Sequence, residues 1–595
     1  MTRVIYEKKE VETKNPLLLR GSRQGNYLLL SDKPFSRYEG LHIRQLDGND
    51  DWKLYKTVSR VLPEQVNHIK HLPTKTVYAY DEGSCAIHFF DSVISLQIEG
   101  NLRIPLVLDC REIYDFEKFG RQYSYECVND IHIFSYTKES ANHPRIYVVC
   151  KSDGEFQSHS HWHNVYYSYE HERQSGPWDW YEYFAGDFLN ASQVVIGAGF
   201  DRDEVISQVE DCWQHQQGAI RTQEKYQQLL SDISVEKHSL ELSYALASFD
   251  ELLTDQGFYA GLPWFFQVWT RDQSISIGAL IAQKRFREAK SLLLKQLQAI
   301  LPDGRLPNRF PHSDLASADG VGWTCKRLFE VLEQMPDIEE QELIFIRDRV
   351  VYSVVNQDKH FGRLGFVENA DLETWMDTGN PYDTRRGFRI EIQALYASQI
   401  QLINYLNERL DDGKYGYFQK WENDFIKSMQ EFVRDGVVYD GLHEDGYLDM
   451  TIRPNVFLAY YICPSLFSKQ VWKKTFDASL EKLFVKWGGV TTISQDHSLY
   501  CAHYTGQTNQ SYHRGDVWYY VNLIAAQSLY LLDKKKYAPY WRALVESSCH
   551  ELFASGAMGS LAEVSGASQC QSQGCFMQAW SLAMFIEAVI RIYGQ

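Results

Sequence analysis

Residues 373–377 read Glu373-Thr374-Trp375-Met376-Asp377, inside the longer run FVENADLETWMDTGNPYDTRRG. Glycoside hydrolysis needs two carboxyl groups flanking the scissile bond, one to protonate the leaving oxygen and one to attack or to activate water. A lone acid in a loop is ordinarily just solvated. A tryptophan beside it can desolvate it and raise its proton affinity, as a general acid requires. A second stretch, Trp269-Thr270-Arg271-Asp272, puts an Arg–Asp pair beside an indole. Such a pair can hold vicinal hydroxyls, the carboxylate accepting and the guanidinium donating. The same residues also suit an acid at a helix N-terminus with a surface arginine. A third, SYHRGDVW, holds Tyr512, His513, Arg514, Asp516 and Trp518, and SLAEVSG sets Glu563 among small residues. Residue type alone does not single out His513 or Glu563.

Other chemistries are poorly represented. His159, His161 and His163 alternate in SHSHWHN and would share one face of a strand. Neighbours on that face stand about 7 Å apart, too wide for one small ion. No HExxH, Walker loop or GxSxG occurs, and the Cys570–Cys575 spacing is a weak metal signal. The eleven cysteines are odd in number and form no CxxC framework, which points to free thiols in a reducing compartment. The opening MTRVIYEKKEVETKN has no apolar leader, so a cytoplasmic location is expected. No run of about 18 apolar residues would span a membrane. With 78 acidic against 60 basic residues the formal charge is −18, which disfavours nucleic acid as a partner. Aromatic residues make up 14 %, with 15 Trp and 38 Tyr, suiting either a large core or faces on which sugar rings stack.

The elements that would position these residues change character along the chain. Length alone predicts two to four domains at about 100–200 residues each. Residues 1–202 alternate polar and apolar positions in runs such as KTVYAYDEGSCAIHFFDSVISLQIEG, broken by turn signals, and predict an antiparallel β domain. Residues 203–237 are polar and Gln-rich with helical spacing, as in a helical linker. From 238 to 595 the helical period dominates, for example at Leu242, Ala245, Leu246, Phe249 and Leu253. Polar, aromatic-rich loops recur between these helices and carry the Trp, Arg, Asp and Glu residues above. Loops on a rigid scaffold are where function tends to sit.

Taken in order, GLPWF and WTRD, DGRLPNRF, SADGVGW, ETWMD with RRG and EIQAL, IRPN, YHRGDVW and a late Glu loop before QAW resemble the amylo-α-1,6-glucosidase part of glycogen debranching enzymes. The resemblance runs from about residue 240 to the end, and RYEGLHIRQL and PLVLDCREIYDF look like the β domain of stand-alone prokaryotic members. It implies an N-terminal β-sandwich followed by an (α/α)6 barrel, with six helices inside and six outside. It also implies an inverting glycoside hydrolase that needs no cofactor and no metal. Asp377 would be the general acid and Glu563 the general base, with carboxyl groups about 6.5–9.5 Å apart. Trp269, Arg271, Asp272, Asn308, Arg309, Trp323, Glu373, Trp375, His513 and Trp518 would line the pocket for a terminal glucose, Trp375 as its flat wall.

The chain departs from the family pattern at Thr270, Gln273, Arg514, Asp516, Tyr519 and Ala562. The expected substrate is an α-1,6 branch point of a glycogen-type glucan or limit dextrin. The alternatives are a small α-glucoside of trehalose, sucrose or glucosyl-solute type, or a glucan-binding protein without catalysis. Nothing in the sequence indicates the oligomeric state.

Overall fold

A computed structural model of the 595-residue chain describes residues 1–46, 52–139, 143–215, 224, 226–230, 233, 235–310, 313, 315–379 and 383–594. Much of the expected 203–237 linker therefore lies outside the described residues. The N-terminal region is two facing sheets. The larger runs, in spatial order, from Arg121–Val128 through Ile131–Lys138, Ile146–Ser152, Gln193–Gly199, Val93–Gly100, Gly83–Phe90, Lys75–Tyr80, His68–Leu72 and Thr2–Ile5 to Glu10–Thr13. The smaller begins at Glu155–Tyr166 and Asp179–Leu189 and ends at Tyr27–Leu30 and Leu18–Gly21. Pairing is antiparallel except where Thr2–Ile5 lies parallel to His68–Leu72. Period-two patterning sets the inner face: Leu96 lies opposite Ile87 across one strand pair, and both are buried.

Two helices decorate this sandwich. Helix α1, Ser168–Glu172, joins the first two strands of the smaller sheet. Helix α2, Arg202–His215, sets Val205 and Val209 on the outer face of the larger sheet, against Val93, Ile133, Val149 and Val195. Gly197 permits this approach, since a Cβ there would strike Val209.

Twelve helices follow among the described residues: α3 (Ser239–Asp250), α4 (Thr270–Ala282), α5 (Phe286–Gln298), α6 (Gly320–Gln334), α7 (Glu340–Phe361), α8 (Ile390–Leu410), α9 (Phe418–Ser428), α10 (Asn455–Ile462), α11 (Lys469–Leu483), α12 (Tyr519–Asp533), α13 (Ala538–Ala554) and α14 (Ala579–Tyr593). Even-numbered helices pack in a closed ring, α4 on α6, α6 on α8, α8 on α10, α10 on α12, α12 on α14, and α14 back on α4. Their sequences explain the placement. Helix α4 is buried without interruption from Thr270 to Leu280, so it must sit inside. Helix α5 buries only Ala289, Leu292, Leu293, Gln296 and Leu297, one stripe at helical spacing, and lies outside. This is the (α/α)6 barrel that the loop motifs implied.

The inner helices all start at the same end. Short strand pairs or bridges precede four of them: Trp269 with Arg309 before α4, Phe388–Arg389 with Gly441–Leu442 before α8, Val517–Trp518 with Val564–Ser565 before α12, and Met577–Gln578 with Gly261–Leu262 before α14. The β-sandwich docks on the barrel as part of one continuous core, with Tyr6 edge-on to Tyr244 and Leu17 bridged to Ala557.

Away from those starts the ring is tied by a buried charge network. Arg327 of α6 donates to Glu587 of α14 at 3.1 Å, to the Tyr461 hydroxyl of α10 at 2.9 Å and to the Ile275 carbonyl of α4 at 3.1 Å. Arg327→Met would take one cation from Glu587 and Glu330, leaving them Arg591 and Lys326, and would leave the Tyr461 hydroxyl and the Ile275 carbonyl without its hydrogen bonds. It is expected to lower the unfolding free energy by about 3–5 kcal/mol, read as a lower urea midpoint at unchanged slope.

Candidate active site

The six inner-helix starts gather the polar loops at one mouth. Backbone N–H groups at these starts favour anionic neighbours. Asp272 sits in the first turn of α4, Glu391 in the first turn of α8, and Asp319 immediately before α6. The central contact is an ion pair, Arg271 Nε to Asp319 Oδ2 at 2.5 Å, with both side chains buried. Asp319 also accepts from Ser317 Oγ at 2.7 Å. Sequence reasoning passed over Asp319, although it lies in the SADG stretch. Its signal was the motif, not its residue type.

Asp377 and Glu563 enter from opposite walls. Asp377 lies in the loop before α8 and Glu563 in the loop before α14, three helices apart in a ring of six. The Asp377 loop is held from below. The Trp375 indole N–H donates to Asn455 Oδ1 at 2.8 Å, Asn455 Nδ2 donates to Asp440, and Arg385 bonds Asp440, Glu391 and Thr374. The Asp377 N–H donates to His513 Nε2 at 3.0 Å. Burial holds His513 well below the ordinary imidazole range, and cations around it, Arg453 first, push the same way. It is therefore neutral, with its proton on Nδ1. Its ring stacks on Trp518 at 5.3 Å.

Glu563 is held as tightly. The Tyr512 hydroxyl donates to its Oε1, and the Cys575 N–H donates to its Oε2 at 3.0 Å. Gly574, at φ +67°, lies so near that a Cβ would collide with Oε2. Desolvation raises the proton affinity of both acids, Glu563 being buried and Asp377 keeping exposed surface at the mouth. Asp377 is pushed up to about 6, against the pull of Arg271, and Glu563 to about 7, against the Tyr512 hydrogen bond. Asp377 itself helps to raise Glu563, so the two are electrostatically coupled. Asp272 and Asp516 are also pushed up to about 7, in both cases chiefly by burial.

The remaining expected residues divide into two groups. Trp269 Nε1, Arg271 Nη2, Asn308 Oδ1 and His513 Nδ1 are buried polar atoms with no protein partner. Arg309 is exposed, with its guanidinium 5.6 Å from the centre of the Trp269 ring. Asp272 accepts from Gln578 at 3.4 Å. Three of the expected residues are held by neighbours within the protein. Trp375 is 2 % exposed, packs edge-on against His513, Trp518 and Tyr520, and backs the Asp377 loop. Trp323 is equally buried, a turn into α6 and facing Tyr461. Glu373 is committed to its own loops, accepting from Arg305 at 2.9 Å and from the Ala370 N–H at 2.7 Å.

The departures from the family pattern are mostly structural. Thr270 donates to the Pro307 carbonyl, Gln273 accepts from the Phe258 N–H, and the Tyr519 hydroxyl meets Ser565 Oγ at 2.6 Å. Arg514 is different. With Arg453 it grips Asp383, linking the loops before α8, α10 and α12.

Asp516 gives a direct reading of what carboxyl burial does to stability. Its folded value of about 7 exceeds the unfolded value near 4. The folded state then binds more protons between those values, and stability falls as pH rises through that window. Asp516→Asn is expected to raise the Tm more at alkaline than at acid pH, which thermal unfolding at the two pH values checks.

In overall shape the chain is similar to a bacterial glucoamylase solved with acarbose, at TM-score 0.62 and 11 % identity over 97 % of this chain and 94 % of that one. A GH63 mannosylglycerate hydrolase from Thermus thermophilus matches at TM-score 0.46 and 14 % identity, over 58 % of this chain and 99 % of that one. No curated protein matches the sequence significantly. Residues 253–587, more than half of the chain and all but the first helix of the barrel, match the family model described as amylo-alpha-1,6-glucosidase. The chain therefore belongs to the amylo-α-1,6-glucosidase family of glycoside hydrolases.

Proposed function

We propose that the protein is an inverting, exo-acting α-glucosidase that removes single glucose residues from α-1,6 branch points of a glycogen-type glucan. The observation that carries this reading is the pair of carboxyls of raised proton affinity brought in from opposite walls of the ring, Glu563 buried and Asp377 exposed at the mouth. Asp377 gives its proton to the glycosidic oxygen as the C1–O bond breaks. Glu563 takes a proton from a water that attacks C1 from the opposite face, so the new C1–O bond has inverted configuration. Arg271, Asn308, Trp269 and His513 offer hydrogen bonds to the terminal ring, and the Arg271–Asp319 pair fixes the guanidinium. No metal or cofactor takes part in this scheme. The cysteines, all free, suit a cytoplasmic setting.

A second reading, a small α-glucoside as substrate, is favoured by the Arg453–Asp383–Arg514 ion pairs, which tie three loops together beside the His513 wall. Proton NMR of the enzyme with a phosphorylase limit dextrin, beside trehalose- and sucrose-type glucosides, separates the two. Early β-glucose from limit dextrin is expected. Early α-glucose would remove the role of Glu563, and turnover of the small glucosides alone would establish the second reading. Asp377→Asn and Glu563→Gln are each expected to lower turnover by about 10²–10⁴-fold with the fold intact.

The pH profile follows from which acid holds its proton: between the two values the proton rests mostly on Glu563, so the productive form, with Asp377 protonated and Glu563 ionised, is the minority form. On the acid side both carboxyls are protonated and no base remains; on the alkaline side both are ionised and no acid remains. kcat/KM is expected to trace a bell whose limbs straddle the interval from about 6 to about 7. A rate that climbs steadily through that interval would contradict the paired roles.

A further inference from the structure

The β-sandwich reaches the mouth of the barrel through Phe35, Tyr38 and Tyr114, which meet Phe576, Trp264 and Phe266, and through the short segment at helix α1. Helix α1 is pinned to its own domain by Glu170, a buried acid that accepts from Ser36 Oγ at 2.9 Å and from the Arg37 N–H at 3.0 Å. The Tyr169 N–H donates to the Phe35 carbonyl at 3.1 Å. So anchored, α1 turns Tyr169 and Arg173 toward the barrel. The Tyr169 ring lies 5.0 Å from Phe576, and its hydroxyl donates to the Gly574 carbonyl at 3.3 Å. The Arg173 guanidinium sits 4.3 Å from the centre of the Trp264 ring and 5.3 Å from that of Tyr169. Trp264 in turn packs on Phe576 at 5.3 Å. These contacts converge on Gly574 and Cys575, the two residues that press on and hydrogen-bond the Glu563 carboxyl. Arg173 Nε is buried with no partner.

We infer that the N-terminal β domain completes the general-base half of the active site: Tyr169 and Arg173 are positioning residues that act on Glu563 from outside the barrel. This rests on the hydrolase reading above for the meaning of Glu563, but not for the contact itself. The groups acting on Glu563 come from every wall. Asp272 faces it from α4, Asp377 from the loop before α8, Tyr504, Tyr512 and Asp516 from the loop before α12, and Cys575 from its own loop. The acids among them favour a protonated Glu563. Arg173 brings positive charge and pulls its proton affinity down. A base that must be ionised to activate water gains from that cation. A barrel without its β domain would carry Glu563 with its proton held more firmly.

The test reads Glu563 directly. Infrared difference spectra between the protein and its Glu563→Gln form, taken across neutral pH, report the midpoint at which the Glu563 carboxyl ionises. The same difference is recorded in Arg173→Met, which keeps an apolar stem on Trp264, and in Arg173→Lys, which keeps the charge; Arg173→Gln serves if the Met variant does not fold. Loss of the charge is expected to move the midpoint upward by about 1 pH unit, and the lysine variant to restore it. The acid limb of kcat/KM on a cleaved glucoside should move with it. An unchanged midpoint in a folded, neutral variant overturns the inference and leaves α1 as packing alone. A shifted midpoint in a protein that cleaves no glucoside upholds the positioning role and rejects the hydrolase reading. Turnover with no shift does the reverse.

Discussion

The ion pair between Arg271 and Asp319 is the fixed point around which the mouth of the barrel is built. Asp272, Asp516 and Glu563 are buried in the same mouth, with Asp377 exposed beside the pair, and burying charge without partners is costly. One guanidinium cannot neutralise them all. The structure resolves the excess by letting several of these carboxyls hold their protons to near pH 6–7. Raised proton affinity is thus a consequence of the architecture before it is a feature of any mechanism. It makes general acid catalysis available at neutral pH, and it makes the site a weak point of the fold as pH rises.

The ring explains why two of those acids can face each other. A six-membered ring of inner helices, all starting at one end, converts positions three helices apart in order into opposite walls. Asp377 and Glu563 are nearly two hundred residues apart in the chain, yet neither needs a long excursion to reach the other. Each loop needs only to be held rigid. For Asp377 the hold is the run from Trp375 through Asn455 and Asp440 to Arg385, which fastens the loop to the first residue of α10. For Glu563 it is Tyr512 and the Gly574–Cys575 turn. The closed charge network around Arg327 keeps the ring from splaying, so these holds keep their registry.

How much of this could be read from the chain alone depends on the distance over which each feature is encoded. The change from period two to helical period is local, and it separates sandwich from barrel near residue 200. The loop motifs are local too, so ETWMD, WTRD and YHRGDVW stood out, and their order carried the family resemblance. Whether a side chain faces the cavity or the core is not local. Trp375 and Trp323 carry the right residue types, but their surroundings come from α10 and α12, and those neighbours cover them. Asp319 is the opposite case: an ordinary acid in SADG becomes central only because Arg271, from another loop, folds onto it. Tyr169 and Arg173 were invisible for the same reason at greater range, since nothing in a strand-rich region signals a side chain bound for the barrel.

That last contact changes what the β domain is. A sandwich fused to a barrel could serve only to cover apolar surface, and Tyr6 against Tyr244 or Leu17 against Ala557 does that much. Such packing would be satisfied by any complementary shape. The α1 segment is more demanding. Glu170 is a buried acid spent on fixing a five-residue helix, and buried polar groups that specify one conformation are retained where geometry matters more than stability alone. What that helix fixes is the approach of a cation and a phenol to the loop that holds Glu563. The barrel and the sandwich are then one unit, because the charge that acts on Glu563 on one wall of the ring is delivered by a domain outside it.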